Sequence, residues 1–423
     1  MTERSLAQWL VHLEAIHPAE IELGLDRIRT VAHALNLLPY SLPVVTIAGT
    51  NGKGSTAAVL ERLLTAHGMT TGLSTSPHFL CFNERIRVNG VAVSDTDIAA
   101  SFARIEEARG DTTLTYFEFA TLASLLIFLQ HSADIAILEV GLGGRLDAMN
   151  LVDADVAVIT SIALDHQDWL GDSREAIGRE KAGVARVGKP VVVADTQPPD
   201  GLIEFLQDLG ATSLCIGTDF GATADSAYVS LGHDTITLPC IVPPALRAEN
   251  VAAALQVAAL LGVNLAALDL ATLVQAAAPI GRLQRVIRDD REYILDVAHN
   301  PAAVENLVKY LRENPTAGKT FALFSVMADK DIHAMMRRCK NCFDTWLLAD
   351  LAHVPRAAGS SQVASILIDE EERNIVCFDA LDSAFADAQF KLQAHDRLVV
   401  FGSFHTVAGV LPLLGSDRRE TGN

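Results

Sequence analysis

The chain has 423 residues, half of them hydrophobic and 6% aromatic, with a formal net charge of −19. That length is roughly two or three ordinary domains, and a core built mainly from Ala, Leu, Val and Ile suits parallel sheets packed between helices. The acidic balance excludes a nucleic-acid or anionic-membrane surface, both of which need a basic face, while leaving room for anionic ligands in a locally positive site.

The opening Met1-Thr2-Glu3-Arg4 leads into no signal-like apolar core, and the longest strongly apolar stretch, about residues 119–129, is too short to span a bilayer. Six scattered cysteines make no disulfide framework. Cys339 and Cys342 form one C-x-x-C pair, with no second pair to complete a zinc site, so free thiols are expected. The expectation is a soluble, cytoplasmic protein, monomeric by default.

Short apolar runs then alternate with helical patterns along the chain, the βαβ signature of a mostly parallel sheet. The first unit runs from a strand at 44–47 through a glycine loop into a helix with Val59, Leu60, Leu63 and Leu64 on one face. Further strands are expected at 135–138, 156–159 and 191–194. Residues 213–240 alternate in a different way around turn residues, which predicts a small antiparallel excursion, and an Ala-rich helical region follows over about 246–278. Pro279-Ile280-Gly281 breaks that pattern, so the domain boundary is expected after residue 281. The second unit, 282–423, would be a smaller, Rossmann-like α/β domain with strands at 293–297, 320–325, 345–349, 375–378 and 397–401 and a helix over 302–312.

The strongest local signal is Gly49-Thr50-Asn51-Gly52-Lys53-Gly54-Ser55, between a hydrophobic strand and an amphipathic helix. Glycines let backbone N–H groups close around phosphate oxygens, the helix N-terminus favours negative charge, and lysine supplies a full cation. Gly54 separates Lys53 from Ser55, a departure from the usual Walker loop. The strand at 135–138 runs into Glu139 and then Val140-Gly141-Leu142-Gly143-Gly144-Arg145-Leu146-Asp147. A carboxylate at a strand's carboxyl end points into the crevice where such sheets bind ligands, where it can hold magnesium; a solvated charge is the plainer alternative. The third strand leads to Asp165-His166, so three strand ends offer a lysine, a glutamate and a histidine to one edge of the sheet. A lone histidine is more often structural, and Asp165 with Asp168 could make only a polar turn.

Lys181 shares one face of the helical stretch 173–186 with Ile177 and Val184. Burying it charged is costly, so from the residues alone the better reading is a stem lying along the core with its ammonium in water. In the second domain, a strand ends in Asp296-Val297-Ala298-His299-Asn300-Pro301, and Gly402-Ser403-Phe404-His405 repeats the theme of polar residues at a strand end. Each could be turn chemistry; together they suggest that the second domain also faces the ligand.

Taken in order, the 49–55 loop, Ser76-Pro77-His78, Asn83-Glu84-Arg85-Ile86, Phe117-Glu118, the run 139–147, Glu180-Lys181-Ala182-Gly183 and the run 296–301 closely resemble the folylpolyglutamate synthase/dihydrofolate synthase family, within the Mur-ligase-like superfamily. The resemblance spans about residues 20–407, and Gly54 is the folate-branch form of the loop. It implies an ATP-dependent ligase that adds L-glutamate to dihydropteroate and to the γ-carboxylate of tetrahydrofolate and its polyglutamates through an acyl phosphate. The bacterial bifunctional type fits best. It also implies that Thr50, Asn51, Gly52, Lys53, Gly54 and Ser55 hold ATP, with Asn250, Arg282 and Asp296 in contact with it. Ser76, Glu139, His166 and Lys181, the last as a carbamate, would be ligands of magnesium, which two sites are expected to hold. Asp296 and His299 would serve the nucleotide and the incoming amine, and His299 and Ser403 the glutamate. The catalytic set is then Lys53, Glu139, His166, Lys181, Asp296 and His299. The pteroate or folate would lie against Ile21, Glu22, Leu23, Thr115, Tyr116, Phe117, Leu146, Asp147 and Ala148. Two rivals are weaker. A Mur-type cell-wall ligase would need a UDP-sugar domain ahead of a loop that already starts at Gly49, and a nucleotide switch would have no use for Lys181 beside a metal.

Overall fold

The computed structural model describes residues 4–17, 21–232 and 234–415. They form two compact units that meet between Ala278 and Pro279, just ahead of the expected boundary.

The first unit is built on an eight-stranded sheet of β1 (Val44–Ala48), β2 (Thr71–Ser74), β3 (Ile86–Val88), β4 (Val91–Ala92), β5 (Ile135–Glu139), β6 (Val156–Ile159), β7 (Pro190–Val193) and β8 (Thr212–Cys215). Its spatial order is β4-β3-β2-β5-β1-β6-β7-β8. All neighbours pair in parallel except β2–β3 and β3–β4. Alternate residues of the central strands enter two different cores. Val44 and Ala48 of β1, with Ala136 and Leu138 of β5 and Ala157 and Ile159 of β6, face one. Val45, Ile47, Ile135, Ile137, Val156 and Val158 face the other. A sheet buried on both faces must read as continuous apolar runs, as these strands do.

The first core is closed by the helices Leu6–Ile16, Asp26–Ala34, Asp95–Arg109, Tyr116–Gln130, Arg174–Ala182 and Asp200–Leu209. The second is closed by Lys53–Ala66, Ala248–Leu260 and Leu270–Ala276, and by a three-stranded antiparallel sheet of β9 (Gly221–Ala222), β10 (Ser226–Leu231) and β11 (Asp234–Pro239). The apolar stretch near 119–129 is therefore a buried helix, and among the described residues no helix is long and apolar enough to cross a membrane.

One expectation is corrected and another refined. The antiparallel excursion does not begin at residue 213, because β8 adds to the parallel sheet beside β7 and only β9–β11 are antiparallel. The Ala-rich region is helical as expected but in pieces, which refines its extent: the first helix stops after Leu260, where Gly262 takes φ +81°, and a short 3-10 turn, Leu265–Ala267, and the helix Leu270–Ala276 follow.

The second unit is a six-stranded sheet of β12 (Gln284–Arg288), β13 (Arg291–Leu295), β14 (Thr320–Phe324), β15 (Thr345–Ala349), β16 (Ile375–Phe378) and β17 (Arg397–Phe401), in the order β12-β13-β17-β14-β15-β16. Only β12 is antiparallel, joined to β13 by a hairpin through Asp289 and Asp290, both at positive φ. All six cysteines are free thiols, Cys339 and Cys342 included.

Close packing of β2 under the helix Tyr116–Gln130 rests on Gly72, where a Cβ would stand 2.4 Å from Phe128 Cγ. Gly72→Ala is expected to lower stability by about 1–3 kcal/mol through overpacking. A thermal unfolding midpoint unchanged from wild type would contradict this.

Candidate functional site

The sheet order places β5, β1 and β6 side by side, so the loops at their carboxyl ends meet at one edge. After β1, Gly49 runs at φ +146° and Gly52 at φ +98°, and the helix starts at Lys53. Side chains are excluded at both glycines: a Cβ on Gly49 would stand 1.7 Å from Thr160 Oγ1, and one on Gly52 2.3 Å from Asn250 Oδ1. Asn250, on the Ala248–Leu260 helix, is thus brought against the loop as expected. Thr50 pins the loop to the segment after β6: its Oγ1 donates to Ala163 O (3.1 Å) and accepts from Ala163 N (3.0 Å). Asn51 N donates to Ser161 Oγ at 3.2 Å. Lys53 Nζ arches back over the loop, donating to Gly49 O at 2.9 Å and Thr50 O at 3.2 Å. Ser55 is buried in the first helical turn. A glycine loop tied down at the start of a helix, with a lysine ammonium held over it, is an arrangement able to cradle an anion.

Glu139 ends β5, buried, and a Cβ on Gly54 would lie 3.4 Å from its Oε1. It accepts from Ser76 N at 3.2 Å, which brings two of the expected metal ligands together through Ser76's backbone. Glu84 caps the turn after Ser76, accepting from Phe79, Leu80 and Cys81 N at 2.7–2.9 Å. Arg85 was part of a recognised motif but carried no predicted role. It donates from Nε to His78 Nδ1 at 2.7 Å, and its Cζ lies 5.5 Å from the centre of the Tyr116 ring. Burial pushes its guanidinium pKa down, while Tyr116, Glu139 and Glu84 hold it up.

The plainer reading of Lys181 is corrected. Its ammonium does not reach water; the residue is 4% exposed, on a helix clamped beneath the loop after Glu139. Gly144 allows that approach, since a Cβ there would stand 2.9 Å from Lys181 Cα, and Arg145 N donates to Glu180 O at 2.8 Å. Burial first, and the charge of Lys53 second, lower the Lys181 pKa against the opposing pull of Asp165 and Asp147, leaving it at about 7. Asp147 is buried and accepts from Gly141 N (3.1 Å), Leu142 N (2.8 Å) and Met149 N (2.9 Å). Burial nevertheless raises its pKa to about 6, with those bonds and Lys53 pulling the other way. His166 sits at φ +51°, and its N donates to Asp165 Oδ1 at 2.9 Å.

The expected pteroate-side segments also converge. Gly24 N donates to Leu146 O at 3.2 Å, joining residues 21–24 to the loop at 146–148. Arg27 pairs with Glu22 and reaches Glu118 Oε1 at 3.3 Å, and Glu118 completes a capping box with Thr115 ahead of Tyr116 and Phe117. Phe117 packs where a Cβ on Gly141 would stand 2.8 Å from its Cζ.

In the second unit, Asp296 follows β13 and accepts from Leu283 N and Ala298 N, each at 2.8 Å. Burial raises its pKa, while Arg282, those bonds and His299 hold it down. His299 Nδ1 bonds Val297 O at 2.8 Å, and its ring lies 6.2 Å from Phe404, over which Arg282 also sits at 5.9 Å. Ser403 is a buried helix cap whose Oγ accepts from Thr406 N at 3.1 Å. Near it lies a cluster with no predicted role: His405 faces His353, rings 6.4 Å apart. Burial lowers the His405 pKa, as do His353 and Arg356. His353 and Arg356 lie outside every motif, so only proximity in the fold finds them.

Among the described residues, no group of three or more His, Cys, Asp and Glu is placed to hold a metal. The predicted set uses only Glu139 and His166 from those types, so it depends on Ser76, a modified Lys181 and nucleotide oxygens for the rest. A buried carboxylate beside a phosphate cradle fits magnesium, which keeps few protein ligands and shares substrate phosphates.

The chain is similar to known proteins along most of its length. A model of the Mur ligase middle domain matches residues 47–225, and one of the Mur ligase glutamate ligase domain matches 281–404. A dihydrofolate synthase/folylpolyglutamate synthase from Escherichia coli (strain K12) is 41% identical over 420 residues, covering 99% of this chain and 97% of that protein. Its Haemophilus influenzae counterpart is 36% identical, covering 95% and 96%. Among solved structures, E. coli FolC in complex with DHPP and ADP superposes with a TM-score of 0.88 at 41% identity, covering 97% of this chain and 98% of that one. A bifunctional folylpolyglutamate synthase/dihydrofolate synthase with Mn, AMPPNP and L-glutamate bound gives 0.86 at 41%, with the same coverage.

Gly52→Ala combines a strained φ with a clash at Asn250. It is expected to weaken ATP binding by about tenfold or more while the chain stays folded. Affinity within a factor of about two of wild type by calorimetry would show that this loop does not hold the nucleotide.

Proposed function

The chain belongs to the dihydrofolate synthase/folylpolyglutamate synthase family, and we propose on that footing that it is an ATP-dependent carboxylate–amine ligase of folate biosynthesis. It adds L-glutamate to dihydropteroate and to the γ-carboxylate of tetrahydrofolate and its polyglutamates. The observation that carries this reading is the buried Glu139 beside Gly54 of the phosphate loop, with the buried Lys181 on the helix under the loop that follows Glu139. The ligands bound in related structures, DHPP with ADP and AMPPNP with L-glutamate, support the same substrates. The free thiols and the use of ATP fit a protein working in the cytoplasm.

A carboxylate is a poor electrophile, so the first step moves the γ-phosphoryl group of ATP onto it, giving a mixed anhydride and ADP. The backbone of residues 49–55 and Lys53 hold the phosphates in line and offset their charge. Glu139 with Ser76, His166 and Lys181 would hold magnesium, which when bound lowers the cost of charge on the transferring group. The glutamate amine must attack as a free base. With Nδ1 bonded to the Val297 carbonyl, His299 keeps Nε2 as its basic nitrogen and is our choice to take that proton. Attack at the acyl carbon forms the C–N bond and expels phosphate. Arg356 and His405, on the side of Ser403, are proposed to meet the carboxylates of glutamate.

Phosphate release from ATP, measured with magnesium and glutamate, is expected with dihydropteroate in one tube and with tetrahydrofolate in another. Silence in both with nucleotide binding intact would refute the ligase assignment, and turnover in one alone would refute the bifunctional reading.

Lys181 is proposed to carry a carbamate. An amine held near a pKa of 7 is largely neutral at physiological pH and can add to carbon dioxide, losing a proton as the N–C bond forms. Lys53, whose charge disfavours an ammonium at Lys181, favours the resulting anion. Because only the neutral amine reacts, labelled bicarbonate should give a carbamate carbon resonance that grows as pH rises through 7 and is absent in Lys181→Ala. A wild-type spectrum without that resonance would overturn the modification.

A further inference from the structure

Five side chains of both signs surround a pocket of about 490 Å³ in the second unit, and none of them has a part in the reaction above. They are Arg285, Arg291, Arg397, Asp290 and Glu292. The pocket lies at the amino ends of β13 and β17, whereas Asp296 and Ser403 follow their carboxyl ends. A five-residue strand at ~3.3 Å per residue puts the two ends about 15 Å apart.

The charge arrangement is specific. Glu292 spends one oxygen on Arg285 Nε and the other on Arg397 Nε, so a single carboxylate serves two guanidiniums. Arg397, 4% exposed, also donates from Nη2 to Asn314 O at 2.7 Å, which fixes it in place. Arg291 donates to a neutral partner, Gln389 O, at 3.3 Å, which leaves its charge uncompensated by that contact. This is the positive pole. Negative charge in the lining comes from Asp290, which is exposed, and partial negative charge from the carboxyl end of the helix Pro301–Glu313 at Tyr310 and Asn314, where Asn314 O already accepts from Arg397.

We infer that this pocket binds a zwitterionic ligand, a free amino acid or a short peptide, with its carboxylate on the arginine side and its ammonium toward Asp290 and the helix end. A simple polyanion would meet Asp290 and the helix carbonyls, and a simple cation would meet the arginines; a molecule carrying both charges satisfies both poles. The volume lies in the ordinary range for small-molecule sites, and Ile287 and Tyr310 provide apolar wall for a side chain.

The test is calorimetric titration of the full chain, without nucleotide, against the free L-amino acids and their homodipeptides. At least one compound should bind saturably. Its N-acetylated form, lacking the ammonium, and its amide, lacking the carboxylate, should each bind about tenfold more weakly or worse. Arg291→Ala and Asp290→Asn should weaken it by a similar factor while leaving ligase turnover unchanged. Asparagine tolerates the positive φ of position 290, so that variant keeps the hairpin. The inference is overturned by a panel with no binder, by binding that both substitutions leave unaltered, or by binding lost instead in Ser403→Ala, which would place the ligand on the glutamate side. Because the readout is binding at this pocket, its failure is distinct from failure of the ligase reading.

Discussion

The enclosure of Lys181 is the constraint around which the first unit is arranged. An amine that is 4% exposed among apolar neighbours cannot keep an ordinary lysine pKa, and the nearby cation of Lys53 pushes it further down. Two carboxyl groups, Asp165 and Asp147, act in the opposite direction, yet burial weakens Asp147 itself as an acid. The result is that Lys181 and Asp147 are both moved toward neutrality, to about 7 and about 6, although each type normally titrates far from it. Such a balance is characteristic of chemistry rather than of packing.

That enclosure depends on backbone approaches that only glycine permits. Gly144 lets the loop after β5 settle on the Lys181 backbone, and Gly141 gives its space to Phe117. Gly49 and Gly52 do the same for the phosphate loop against Thr160 and Asn250. The sequence therefore carries glycines where three strand ends must crowd together, and the parallel order β5-β1-β6 provides the crowding. The same contacts hold the cradle in shape before any ligand arrives, which reduces the reorganisation left for binding.

Much of this was legible in the sequence for a plain reason: a parallel strand covered on both faces cannot alternate, so β1, β5, β6 and β7 show as unbroken apolar runs. The short strands were not legible. β2 contains Gly72, β3 and β4 span three and two residues, and β8 reads Thr-Ser-Leu-Cys with no fully buried residue. β4 and β8 are the edge strands, which need little apolar content, while β2 and β3 lie inside the sheet but are too short to show a run that marks a core. The Ala-rich stretch after residue 246 was legible as helical but not where it breaks, because alanine suits a helix at any position and hides where one stops. Lys181 shows the limit most clearly. Its helical face was readable from Ile177 and Val184, but whether a long side chain reaches water is decided by what covers it, here a loop some forty residues earlier in the chain.

The second unit uses the two ends of one sheet differently. At the carboxyl ends, Asp296, His299 and Ser403 each make a backbone bond within their own turns, so local structure helps to fix their positions and their motifs could be found in sequence. At the amino ends, Arg285, Glu292 and Arg397 come from three different strands and meet only because β12, β13 and β17 are adjacent. No short motif can encode such a group. Glu292 and Arg397 are largely buried while Arg285 lies more than half exposed beside them, and a buried ion pair is a costly way to stabilise a sheet, since apolar residues of the same size would serve at least as well. Its presence at β12–β13–β17 is therefore better explained by what the charges can hold than by what they contribute to the fold.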